Sequence, residues 1–203
     1  MTIGAYGVWV NTKAIAATIV FAALSIVLVP FRILAFNWPG MYYYWWEIPI
    51  VAAFLLFGFK VAASVAVLNG IGRMVLLPGP LGFIMIPWGV VVTSSTQLGV
   101  HLACRLLKRR LAPEEALLGR RPVAYLTGLG VLSRATIMSL LDYTVLYSVL
   151  LPLALGRSFS VDYIIALMPG IVFFNIIVPL YTVPVGYLLA KIVSRNLKVG
   201  NKL

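Results

Sequence analysis

Long, continuous apolar runs separated by short polar breaks dominate this chain. Six runs stand out: Ala14–Val29, Ile48–Phe59, Val61–Leu77, Leu81–Leu107, Pro122–Leu150 and Tyr163–Val193. Runs of about 20 apolar residues match the thickness of a bilayer core. In hydrocarbon every backbone N–H and C=O needs an internal partner, which leaves helices or a closed barrel. Barrel strands would alternate polar and apolar over short stretches. These runs do not alternate, so the pattern predicts an all-α, polytopic membrane protein of six spans. Pro30 stops the first span, and Pro78-Gly79-Pro80 closes the third. The whole chain, 1–203, is expected to form a single membrane domain.

Two runs strain the length rule. The second is about 12 residues, roughly 18 Å of helix, so it must tilt or be shielded by protein. The fifth approaches about 29 residues, more than the roughly 25 a span needs, and must tilt or project. The first run carries one Lys before it and no small-residue cleavage site after it, so it reads as a retained span.

Composition agrees. The chain is 62% hydrophobic and 10% charged, against roughly a quarter charged in soluble domains. The net charge of +11 first suggests nucleic acid. Its placement argues otherwise. Twelve of the 16 basic residues fall at Lys13, at Lys60, in the cluster Arg105, Lys108, Arg109, Arg110, Arg120 and Arg121, and in the tail Lys191, Arg195, Lys198 and Lys202. These are alternate connections plus both ends, the positive-inside signature, and they put both termini in the cytoplasm. Anionic lipid headgroups are then the ordinary partners, not nucleic acid. The inner loop contains Ala112-Pro113-Glu114-Glu115, an expected short helix start at the membrane surface.

Polar side chains within spans are costly and so are functional candidates. Glu47 opens the second span, Asn69 and Arg73 lie in the third, Arg134 and Asp142 in the fifth, and Asn175 in the sixth. Most fall in the outer half, and convergent polar groups in an apolar bundle are the pattern of a small-molecule site. Arg73 and Asp142 could instead pair as structural glue, and Asn69 and Asn175 could bond helix to helix. Before Glu47 lies a segment, Phe31 to Trp46, containing Trp38, Tyr42, Tyr43, Tyr44, Trp45 and Trp46. It reads as an interfacial aromatic belt or as a lid of stacking side chains. His101, near the inner end of the fourth span, reads as an interfacial residue. Ala14, Thr18 and Ala22 fall at i, i+4 and i+8, a small-residue stripe that lets another helix approach, within the chain or from a partner.

Catalytic signatures are missing. The sequence has no G-x-x-x-x-G-K-[ST] phosphate loop and no G-x-S-x-G. It has no H-E-x-x-H, and its one cysteine, Cys104, fits neither a disulfide nor a metal motif. No enzyme, no metal and no cofactor is expected.

The chain resembles the substrate-binding (S) components of energy-coupling-factor vitamin transporters, closest to the riboflavin type. Thr12 through Leu28 is similar to that family's first helix, whose Ala-x-x-x-Ala face docks on a coupling subunit. Glu47-Ile48-Pro49 followed by Phe54 through Phe59 resembles its Asp-Ile-Pro…Phe-x-Phe-Gly-Pro. Asn69 to Arg73 stands in the place of a Lys-Asn segment, and Arg134 through Met138 with Asp142-Tyr143 is similar to Arg-x-x-x-Met…Asn-Tyr. Phe174-Asn175-Ile176-Ile177 resembles Phe-Asn-Leu-Ile, after which the riboflavin type has Lys and this chain has Val178. The resemblance implies capture of a vitamin, riboflavin favoured, at the outer face of the cell membrane. It also implies a transmembrane coupling subunit and two cytoplasmic ATPases as partners. Substrate contacts are expected from Tyr43, Tyr44, Trp45, Trp46, Glu47, Asn69, Arg73, Arg134, Asp142 and Asn175, and the partner interface from Ala14, Thr18 and Ala22. The alternative is a six-span scaffold with no ligand.

Overall fold

The computed structural model describes residues 12–34, 42–76, 82–108 and 120–197. The Pro78-Gly79-Pro80 break and the Ala112–Glu115 surface helix expected from the sequence lie outside these residues. Helices make up almost all of the described chain: α1 (Thr12–Val27), α2 (Glu47–Phe57), α3 (Phe59–Leu76), α4 (Gly82–Lys108), α5 (Arg120–Leu141), α6 (Leu151–Leu155) and α7 (Val161–Leu197). A π-helical segment, Asp142–Leu150, joins α5 to α6 without a break.

Among the described residues four helical stretches are long and apolar enough to cross a membrane: Phe59–Leu76, Ile86–Leu107, Pro122–Leu155 and Val161–Asn196. Two shorter apolar helices, α1 and α2, complete the bundle. The short α2 is resolved by its position. It packs against α1, α3, α4 and α7, and ten of its 11 residues are buried. A helix apolar on all sides belongs in a core, and its neighbours spare it the need to match the lipid. Gly58 adopts φ +84°, outside the range of ordinary side chains, and turns the chain straight from α2 into α3.

The longer helices follow one another by contact, α1 on α3, α3 on α4, α4 on α5, and α5 on α7. The tightest approach is α4 against α5. A Cβ added at Gly99 would come within 2.1 Å of the Leu129 carbonyl oxygen, so only glycine lets the two backbones meet there. Helix α7 is 37 residues, with Pro169, Pro179 and Pro184 inside it. At about 1.5 Å per residue it is longer than a bilayer core is thick. Prolines inside a membrane helix bend it, and neighbouring groups re-satisfy the freed carbonyls.

The segment before α2, expected only as a belt or lid, contains a small antiparallel hairpin. Arg32–Leu34 (β1) pairs with Tyr42–Tyr44 (β2), with Ile33 opposite Tyr43. The hairpin lies at one end of the bundle with the C-terminal end of α3, the start of α4, the π-helical segment and the start of α7.

Candidate functional site

At the hairpin end the helices part around a half-open cavity of about 430 Å³. That volume suits a small organic ligand, since such pockets run roughly 300–1,000 Å³. Its floor is polar and its walls are aromatic. The floor begins with Arg134, on α5, which is 1% exposed. Its Nη1 donates to the Glu47 carboxylate at 2.5 Å, across 87 positions of sequence. Its Nε donates to Asn175 Oδ1 at 3.3 Å. The Asn175 amide nitrogen in turn donates to Asp142 at 3.0 Å. A second, longer contact runs from Arg134 Nη1 to Thr96 Oγ1 on α4 at 3.5 Å. Glu47, Arg134, Asn175 and Asp142 therefore form one chain of charge-assisted bonds joining α2, α5, α7 and the π-helical segment. Each of the four is buried, and each lines the cavity. A buried charge needs a hydrogen-bonded partner to be tolerated; Arg134 and Glu47 pair with each other, while Asp142 accepts from the neutral Asn175 amide.

The walls carry Tyr42, Tyr44, Trp46, Trp88, Tyr147, Phe159, Tyr163 and Phe174. Trp46 is buried, held where the hairpin runs into α2, and its carbonyl accepts from Ser25 Oγ at 2.7 Å. Arg73 lies over the Trp46 ring at 4.8 Å and near that of Tyr44 at 5.7 Å. Tyr181 on α7 donates its hydroxyl to the Tyr44 carbonyl at 2.8 Å and tethers the hairpin. Tyr147 projects from the π-helical segment. A π turn widens the helix and redirects its side chains, and such turns recur at functional sites.

Of the residues expected at the site, Tyr44, Trp46, Glu47, Arg73, Arg134, Asp142 and Asn175 line the cavity. Three do not. Tyr43 stacks on Phe174 at 5.5 Å, behind the wall. Trp45 is 36% exposed and meets Tyr181 at 5.4 Å. Asn69 turns toward α1, where its amide donates to Ser25 Oγ at 2.9 Å, and so joins α3 to α1 and the hairpin junction. Arg73 and Asp142 do not pair, because Glu47 is the carboxylate in the ion pair and Arg134 is its partner. Val178 is 1% exposed and does not line the cavity.

The structure divides the stripe on α1. Ala22 is 4% exposed and belongs to the core, where it lets α1 settle on its own bundle. Ala14 and Thr18 are half-buried, and Thr18 bonds back to the Ala14 carbonyl at 2.8 Å. The face that α1 leaves open carries Ile15, Ile19, Val20 and Val27.

Sequence reasoning missed Trp88, Tyr147, Arg157, Phe159 and Tyr163. Aromatic residues near span ends read as interfacial anchors whichever way they face. A usable signal was present in the basic residues. Four stand outside the basic clusters, Arg32, Arg73, Arg134 and Arg157, and the last three all line the cavity. Among the described residues no group of three or more His, Cys, Asp or Glu could hold a metal ion.

Fold and site together describe a helical membrane bundle with a ligand-sized cavity open at one end. No family model matches the chain, and no curated protein matches it. Among solved structures it is similar to the S component of a bacterial ECF transporter, with a TM-score of 0.67 over 93% of this chain and 99% of that one, at 19% identity. The two share a fold.

Proposed function

We propose that this chain is the substrate-capture subunit of an ECF-type importer. In this role it takes a vitamin-like small molecule into the hairpin-end cavity from outside the cell and delivers it inward. The chain crosses the cell membrane six times with both termini in the cytoplasm. A transmembrane coupling subunit and two ATPases supply the energy. One observation carries this reading: a polar floor of four bonded side chains beneath aromatic walls, in a fold shared with an S component. A ligand-free scaffold has no need for such a floor, because buried polar groups cost stability unless they serve a function or are fully paired.

Riboflavin is the favoured ligand. Its flat ring suits walls bearing Trp46 and Trp88, and its uracil-like edge offers both donors and acceptors to Asn175, Asp142 and Arg134. The exchange of Lys for Val178 does not touch the lining. The chain provides binding and orientation, not catalysis.

The test uses the full chain in detergent. Its absorption spectrum is recorded, and a vitamin panel is titrated while tryptophan emission is followed. Trp46 and Trp88 line the cavity, so ligand stacking on them should quench saturably, with one ligand per chain. Saturation by riboflavin supports the flavin assignment, and saturation by another vitamin replaces the substrate. Folded protein that binds none of them refutes the capture role.

A further inference from the structure

Three arginines and two carboxylates line the cavity. Arg134 and Glu47 satisfy each other, and Asp142 is engaged by Asn175. Arg73 and Arg157 remain. Among the described residues neither has a carboxylate within ion-pair distance. The one other described acid, Asp162, is exposed and does not line the cavity.

The two arginines are held alike. Arg73 lies over Trp46 and Tyr44, and Arg157 lies over Phe159 at 5.6 Å. Phe159 is itself stacked on Tyr163 at 5.7 Å. Among the described residues neither guanidinium donates a hydrogen bond, so the N–H donors of both remain available. The guanidinium of Arg73 is turned toward the start of α4: a Cβ built on Gly89 would lie 3.5 Å from Nη1. Arg73, partly buried in α3 and with no described carboxylate at ion-pair distance, is costly within a span, and such residues mark a substrate path; Arg157 is exposed in the connection before α7.

We infer that the ligand of this cavity is an anionic aromatic molecule, whose carboxylate or phosphate is held by Arg73, with Arg157 at the rim, while its flat ring lies among the aromatic walls. This rests on the capture role proposed above and replaces neutral riboflavin with an anionic ligand as its substrate. An arginine preset by stacking loses little freedom on binding an anion, and its planar fork matches both groups. The floor then reads the opposite, uncharged edge of the ring.

The test compares matched probes on the full chain in detergent: riboflavin with flavin mononucleotide, and nicotinamide with nicotinate. The anionic member of at least one pair should bind about tenfold to hundredfold more tightly, the worth of a hydrogen bond to a charged group. Preference in the flavin pair assigns a phosphate, and preference in the nicotinate pair a carboxylate. The preference should shrink as salt rises and should be lost in Arg73→Gln. Arg157→Gln, at an exposed position that does not endanger folding, should reduce it in the same direction. Neutral members that bind as tightly as their anionic partners, or an unchanged preference in both variants, overturn the anion assignment and leave the capture role standing. Folded chain that binds no probe overturns both.

Discussion

The bond between Glu47 and Arg134 offers the sharpest test of how this bundle holds its site. The side chains are 5% and 2% exposed. Removing one partner leaves the other charge buried without compensation, a loss of about 3–5 kcal/mol. Replacing both with uncharged groups of similar size removes the problem, and such exchanges are often neutral. Glu47→Gln and Arg134→Met should therefore each destabilise the chain by about 3–5 kcal/mol, and the double variant should recover most of that loss. The Arg134 change also strips a donor from Asn175, so it should be the worse of the two. The assay is equilibrium unfolding of the purified chain in mixed micelles, driven by SDS and followed by tryptophan emission. Additive losses in the double variant, or a Glu47→Gln chain as stable as the original, would refute a coupled buried pair.

Other expectations follow from individual contacts. Asn175→Ala breaks the link between Arg134 and Asp142, and should weaken ligand binding by about tenfold or more, measured by fluorescence titration, since each bond to a charged group is worth about 1.5–3 kcal/mol. Ser25→Ala should cost roughly 1 kcal/mol of stability, seen by SDS unfolding. It should leave the ligand titration unchanged, because Ser25 and Asn69 do not line the cavity. Gly99→Ala should destabilise by about 1–3 kcal/mol through overpacking against the Leu129 carbonyl. Gly128→Ala, where an added Cβ meets nothing within 4 Å, should be tolerated in the same SDS unfolding assay. Tyr181→Phe frees the Tyr44 carbonyl and should speed ligand release in stopped-flow measurements, by loosening the hairpin that forms one wall.

The sequence by itself determined the class of the protein. Long apolar runs with few charges leave only helices in lipid, and the basic clusters divide the loops into two sets. Because charge in a span is costly, Glu47, Arg134, Asp142 and Asn175 could be picked out one at a time. The tertiary structure alone decided which way each residue faces. Lipid and protein core are equally apolar, so an apolar helix carries little record of its inner side. That is why the α1 stripe, legible as spacing, gave no hint that Ala22 turns inward. It is also why Asn69 could not be separated from Arg73, four residues along the same helix, though one binds α1 and the other lines the cavity. The partner of Arg134 lies 87 residues away, and only the packing of both α2 and α5 against α7 brings the two charges together.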